Sequence, residues 1–328
     1  MKRAKLRILA ATLALGVFAG MSLGSSSTKE EPTKVGEVNA DADNTDAKEG
    51  DEKDTAETSS AQTEYRVGDI LQTSDFKIVY VASGEYEEAN EFLKPDEGKK
   101  YVYIKLYVEN TTSDDHNISY YDFDGFADGY AVDMYYGAEP ELSATLSPGR
   151  TTTGVIAFEV SNDTESVEIE YEYDFFNDGR VTFIYEGEKD SGFIPENNTS
   201  ASENAYKVGD ILETSDLKIT YLSSSEYNSD NQFIQPADGY KFIMFELEFE
   251  NISNDDQSVS SYSFDCFADG ASCEQHFFMD ESLDATISAG RKTSGIVVFE
   301  VPVDATTIEL EYVDGWISGN RIVFAYAG

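Results

Sequence analysis

The 328-residue chain is poor in the residues that carry most enzyme chemistry: it has two histidines, two cysteines and one tryptophan. With only Cys266 and Cys273 available, no His/Cys cluster of zinc spacing can be assembled. No Gly-x-Ser-x-Gly elbow and no Gly-rich phosphate loop occurs, which removes the usual nucleophilic and phosphate-handling motifs. A single tryptophan is few for a carbohydrate platform. Basic residues are also scarce, 23 against 64 acidic ones, for a formal net charge of −41. Such a charge repels nucleic acid and anionic membrane surfaces and favours solubility, cations and basic partners. Long helical periodicity is missing too.

What is present begins with a basic head, Lys2, Arg3, Lys5 and Arg7, followed by an apolar run from Ile8 to Leu23. At about 16 residues that run is short of the roughly 20 a spanning helix needs. The pattern predicts a secretory signal peptide over 1–24, cut before Ser25, with an uncleaved anchor as the one route to a membrane. Without the four basic residues of the leader the charge falls from −41 to −45. The Ser-rich start that would follow resembles a bacterial lipoprotein, but no cysteine stands at the processing point, so lipidation is not expected. Residues 25–64 are rich in Asp, Glu, Ala, Thr and Asn and nearly free of large apolar side chains. They read as a disordered acidic tether.

The rest is a duplication. Tyr65-Arg66-Val67-Gly68-Asp69-Ile70-Leu71 returns as Tyr206-Lys207-Val208-Gly209-Asp210-Ile211-Leu212. The match continues at a constant offset of 141 to the last residue, with about 52 identities in 123 positions. Repeat 1 covers 65–187 and repeat 2 covers 206–328, joined by a polar linker over 188–205. Each is large enough for its own core.

Within each repeat the apolar period is 2. Val102, Ile104, Leu106 and Val108 alternate with Tyr101, Tyr103, Lys105, Tyr107 and Glu109; Ile243, Phe245, Leu247 and Phe249 alternate with Glu246, Glu248 and Glu250. Further strands are expected over 76–82, 118–127, 152–160, 167–172 and 180–185. Asp128-Gly129 reads as a two-residue hairpin turn and Ser147-Pro148-Gly149 as another turn. Seven or eight short antiparallel strands in each repeat predict an all-β chain of two tandem β-sandwiches.

A strand ending in Glu-Asn, an Ala-Asp-Gly hairpin, a Pro-Gly or Ala-Gly turn and then Gly-x-x-x-Phe-Glu-Val together resemble the exported Ig-like domain of unknown function 4352. The resemblance covers both repeats, about three quarters of the chain. It implies an Ig-like sandwich in a secreted, cell-surface setting, and it carries no activity with it.

Candidate site residues follow from comparing the repeats. His116 and His276 face Gln257 and Tyr135 in the other copy, a poor basis for shared catalysis. Cys266 and Cys273 flank the second hairpin and should face each other, so a disulfide is expected, with free thiols or a redox pair as alternatives. Asp122, Asp124 and Asp128 alternate as calcium ligands do, though turn and solvent roles fit equally well. The stretches 130–141 and 271–282 share no identity, yet both are aromatic and acidic. The stretches 172–179 and 313–320 behave alike, with Phe175-Phe176 opposite Trp316. Tyr135, Tyr136, Phe277, Phe278 and Trp316 are therefore expected at an exposed partner-binding edge, plain loop drift being the competing account. The resulting expectation is a non-catalytic extracellular binding or adhesion module, without cofactor, whose partner is a protein or surface polymer. Carbohydrate or calcium binding is the alternative, and a carboxylate-based hydrolase is less favoured.

Overall fold

The computed structural model describes residues 32–38, 64–88, 90, 92–174, 179–195, 202–229, 231, 234–277, 283–314 and 320–328. Residues 1–31 and most of the expected tether lie outside them, as do Phe278 and Trp316. The described chain is β throughout, with two single-turn 3-10 helices and no helix long and apolar enough to cross a membrane.

Repeat 1 and its flanks contain β1 (Thr33–Glu37), β2 (Glu64–Tyr65), β3 (Asp69–Gln72), β4 (Phe76–Tyr86), β5 (Lys99–Asn110), β6 (His116–Ser119) and β7 (Phe123–Ala127). They continue with β8 (Tyr130–Ala131), β9 (Asp133–Tyr135), β10 (Ser143–Leu146), β11 (Thr151–Ser161), β12 (Val167–Asp174), β13 (Gly179–Ile184) and β14 (Lys189–Asp190). One sheet runs β1-β3-β4-β5-β11 with β9 on β11; the other runs β2-β13-β12-β7-β8. Val102, Ile104, Leu106 and Val108 from the first meet Ile169, Val181 and Phe183 from the second, all buried. That is the sandwich the period-2 pattern predicts.

Repeat 2 contains β15 (Ile211–Glu213), β16 (Leu217–Glu226), β17 (Tyr240–Asn251), β18 (Gln257–Val259), β19 (Phe264–Ala268) and β20 (Ala271–Ser272). Then follow β21 (Glu274–His276), β22 (Ala285–Ile287), β23 (Lys292–Pro302), β24 (Ile308–Asp314) and β25 (Asn320–Ala325). Sheet β15-β16-β17-β23-β21 packs on β20-β19-β24-β25 around Phe245, Phe249, Phe299 and Phe324.

The hairpin turns form as the sequence requires. Asp128 and Asp269 both have φ of 48°, and the following glycines have φ of 77° and 86°. Two successive positive-φ residues are the turn whose twist matches that of the flanking strands. The expected single strand over 118–127 is instead broken by a 3-10 turn, Tyr120–Asp122. Ser119 caps it by accepting from the Tyr121 amide, and Asp122 accepts from the Ser119 amide, a reciprocal cap that stops the strand.

Two stretches read as unstructured contain strands. Thr33–Glu37, inside the expected tether, pairs with β3, with Lys34 2.6 Å from buried Asp69 and the Val38 amide bonded to the Gly68 carbonyl. Lys189–Asp190, inside the expected linker, pairs with β4, and Phe193 packs on Tyr107 at 5.0 Å. The physical reason lies on the outer face of repeat 1, where Val79, Val81 and Tyr107 need a cover that Val38 and Phe193 supply. Low complexity hid these short apolar anchors. Among the described residues the equivalent edge of repeat 2 has no such cover, with Ile211 58 % and Leu222 39 % exposed. Deleting residues 33–38 should therefore lower the stability of repeat 1 by about 1–2 kcal/mol, the scale of one or two uncovered aliphatic side chains. Thermal melting of the truncated chain measures this, and an unchanged melt would show that β1 adds nothing.

The repeats are joined by more than the linker. Arg150, 8 % exposed, reaches from repeat 1 to two carboxylates on β24, and β11 meets β20 in a parallel contact at Thr151 and Ala271. The Thr151 amide donates to the Gly270 carbonyl at 3.1 Å.

Candidate functional site

The 3-10 turn that interrupts each repeat carries an exposed tyrosine. In repeat 1 it is Tyr121, 71 % exposed; in repeat 2 it is Tyr262, 75 % exposed. Each stands beside an aromatic from the diverged stretch that follows. Tyr136, 65 % exposed, lies 6.1 Å from Tyr121 between ring centres, and Phe277, 40 % exposed, stacks on Tyr262 at 4.7 Å and 24°. Both members of each pair are related by the 141-residue offset. The same two positions thus present the same type of surface in both copies.

The turns that hold these pairs are built locally. In repeat 2, Asp284 accepts from the Ser261 amide and from the hydroxyls of Ser260 and Ser261, while Gln275 Nε2 donates to the Ser261 carbonyl at 2.8 Å. That last bond ties the turn to β21, the strand that delivers Phe277. The tyrosines are therefore held out into solvent on a fixed support.

Of the five aromatics expected at the edge, Tyr136 and Phe277 are exposed. Tyr135 is not: it stacks on Tyr101 at 4.0 Å and its hydroxyl bonds to Glu88, so it covers the sheet rather than a partner. Phe278 and Trp316 lie outside the described residues. Tyr121 and Tyr262 are identical in the two repeats, so divergence between the copies does not point to them. The available signal was an aromatic at the solvent-side position of a Ser-capped turn.

Phe277 also borders a cleft of about 500 Å³ between the repeats, lined by Glu139 and Glu141 from one side and Asp265, Cys266, Glu274 and His276 from the other. Burial, reinforced by Glu311 and Asp115, pushes the Asp265 carboxyl up to about 6. Glu139, Glu141 and Glu274 are also raised, first by burial and then by neighbouring carboxylates. The two histidines stay apart. His276 stacks on Phe242 at 4.8 Å and is lowered by burial, and His116 packs edge-on against Phe76.

The expected calcium trio does not assemble. Asp122 caps its turn, Asp128 accepts from the Glu165 and Ser166 amides, and Asp124 stands exposed on β7 beside Arg180. The three lie in different local structures, a 3-10 turn, a strand and a hairpin turn, so their side chains take separate tasks. Among the described residues no group of three His, Cys, Asp or Glu is placed to hold a metal.

Cys266 and Cys273 do face each other, the Cys273 amide donating to the Cys266 carbonyl at 2.9 Å, but the expected bond is not formed and both are free thiols. Burial pushes the Cys266 thiol well up, and the Cys273 thiol is its hydrogen-bond partner. A raised thiol reacts slowly with reagents in solution. In reduced native protein, Cys273 should thus be alkylated well before Cys266, while air or a disulfide oxidant should join the two. Mass spectrometry reads both results; equal labelling, or no loss of two hydrogens on oxidation, would contradict this.

Against known proteins, no curated protein matches. Solved structures resemble parts of the chain. The ycdA protein of Bacillus subtilis, provisionally assigned as a lipoprotein, aligns at 14 % identity over 36 % of this chain and 38 % of its own length, with a TM-score of 0.32. The yjhA protein of Bacillus subtilis aligns at 18 % identity over 37 % of this chain and 99 % of its own, with a TM-score of 0.30. The secreted protein MPT63 of Mycobacterium tuberculosis aligns at 15 % over 38 % and 99 %, with a TM-score of 0.30. The family described as domain of unknown function DUF4352 matches twice, over residues 65–181 and 206–322. The chain belongs to that family, as a tandem of two such domains.

Proposed function

We propose that this is an exported, non-catalytic binding module that contacts a protein or surface polymer through its two exposed aromatic pairs. The observation that carries the reading is the pair itself, Tyr121 with Tyr136 and Tyr262 with Phe277, offered to solvent at the same place in both repeats. Large aromatic faces left in water contribute most when a partner covers them, and they dominate interface energy when it does. Two such sites on one chain convert two weak contacts into one firmer attachment. The basic head and short apolar run of residues 1–24 support export, and the net charge of −41 favours a basic partner.

Carbohydrate is the second reading, since the outer faces of the Tyr262–Phe277 stack suit a sugar ring. A glycan array run beside a cell-surface pulldown separates the two. In either assay the variant Tyr121→Ser/Tyr136→Ser/Tyr262→Ser/Phe277→Ser should keep its β circular dichroism and lose at least about tenfold in retention, each tenfold being about 1.4 kcal/mol. A variant that is retained as well as the parent, or that unfolds because the rings are core, would overturn the reading.

A further inference from the structure

Within one molecule the contact between the repeats is head to tail: one face of repeat 1 meets a different face of repeat 2. Arg150 Nε and Nη2 donate to Glu311 at 2.9 and 2.7 Å, and Nη2 also donates to Glu309 at 2.7 Å. The guanidinium lies 4.6 Å over the Phe267 ring. Asp115 pairs with Arg321 at the rim. Because of the duplication, each partner has a counterpart in the other repeat. Repeat 2 carries Arg291 and Asp256 where repeat 1 has Arg150 and Asp115. Repeat 1 carries Phe126, Glu168, Glu170 and Arg180 where repeat 2 has Phe267, Glu309, Glu311 and Arg321.

All six interface residues are thus kept in the copy whose face has nothing docked on it among the described residues, against about 52 identities in 123 positions along the repeats. Their environments differ as expected of a used and an unused face. Arg150 is 8 % and Glu309 1 % exposed, whereas Arg291 and Glu168 are solvent-exposed. Part of the retention has a local cause, since Arg180 bonds to Glu170 and Glu172 within repeat 1. Arg291 has no such duty among the ion pairs of the described residues.

We propose that the chain associates with further copies of itself, the Arg291 face of one molecule seating on the Phe126–Glu168–Glu170 face of the next. The join repeats the internal contact, with the Lys292 amide meeting the Gly129 carbonyl as the Thr151 amide meets Gly270. A contact between two unlike faces leaves one free face at each end of a dimer, so the product grows past two copies, as an open string or, where the rotation closes, a ring. For an exported tandem module this multiplies the number of aromatic pairs presented along one assembly.

Inside the molecule the linker supplies an effective concentration near the millimolar range, so the same contact between molecules is weaker and is sought from about 10 µM to about 1 mM. The measurement is sedimentation of the full chain at about 0.15 M salt, where screening over about 8 Å limits the repulsion of the −41 charge. Weight-average mass should climb with concentration past that of a dimer. Arg291→Glu should remain monomeric with unchanged circular dichroism, its side chain being exposed, and Glu168→Arg should be shifted to several-fold weaker association. An equimolar mixture of the two variants should associate, since one retains an intact acidic face and the other an intact Arg291. A wild-type chain that stays monomeric throughout overturns the proposal, as does undiminished assembly of Arg291→Glu. So does a mixture that remains monomeric while the wild type assembles.

Discussion

Arg150→Ala should cost about 3–5 kcal/mol and uncouple the two repeats, because it removes the guanidinium that two buried carboxylates share and leaves one of them, Glu309, without a counter-charge. Glu309 and Glu311 are 1 % and 4 % exposed, and they lie close enough to share one guanidinium. With Arg150 gone, Arg321 still reaches Glu311 at 2.9 Å, but Glu309 is left with the uncharged donors of Ser202, its amide at 2.7 Å and its side chain. Calorimetry should therefore change from one coupled transition to two, with repeat 2 melting first, and small-angle scattering should show a more open particle. Arg150→Lys should recover only part of the loss, since an ammonium cannot bond both carboxylates in the planar geometry of the guanidinium. By contrast, Arg150→Met/Glu309→Leu/Glu311→Met should be far milder than Arg150→Ala, because the cost lies in the stranded charge. A single unchanged transition for Arg150→Ala would mean that Arg150 is not what couples the repeats.

The same contact fixes the direction of its pH dependence. Burial acts to raise the Glu309 carboxyl, but the hydrogen bonds from Arg150 and the Ser202 amide outweigh it and hold the group below its ordinary value. A carboxyl lowered by folding contributes stability that is complete above the unfolded value and is lost as pH falls through the folded one. Acid should thus loosen the inter-repeat contact before it unfolds either sandwich. Asp265 acts oppositely: its raised carboxyl favours the fold below the ordinary carboxylate range, and that contribution is gone once pH has risen through about 6.

What could be read from sequence was whatever repeats within a strand or a turn. The alternation of Val102, Ile104, Leu106 and Val108 gave a buried face because the pleat sends successive side chains to opposite sides. Asp128-Gly129 gave a hairpin because two adjacent residues must take positive φ there. Relations between segments distant in sequence were not legible. Tyr101 and Tyr107 sit at solvent-side positions by alternation, yet they are 8 % and 6 % exposed because Tyr135 and Phe193 cover them. Arg150 was visible as an identity with Arg291, but nothing local says that one is buried against another domain and the other is free. Of the aromatics expected from divergence, Tyr136 and Phe277 are exposed, and the tyrosines beside them, Tyr121 and Tyr262, carry no divergence to mark them.

The strand-ending asparagine, which sequence offered only as part of a motif, should prove as costly within each sandwich as Arg150 is between them. Asn251 is 0 % exposed. Its Nδ2 donates to the carbonyls of Asp255 and Ile287, both at 2.7 Å, and its Oδ1 accepts from the Ser253 amide at 2.9 Å and the Ser253 hydroxyl at 2.8 Å. Asn110 repeats the arrangement, with bonds to the Asp114 and Leu146 carbonyls and from Thr112. One amide thus closes the turn after the long strand and ties it to the strand at Ile287. Four hydrogen bonds at about 1 kcal/mol each, with buried carbonyls left unpaired, put Asn251→Ala at about 3–5 kcal/mol, a large share of a domain's usual 5–15. Asn251→Asp separates geometry from volume, because it keeps the acceptor and replaces the donor with a charge facing two carbonyl oxygens. It should be at least as damaging as alanine at neutral pH and should recover in part in acid, where a protonated carboxyl donates again. Denaturant unfolding of both variants at pH 7 and pH 4 tests this. If Asn251→Asp matched the parent at pH 7, the Nδ2 bonds would not be what holds the turn.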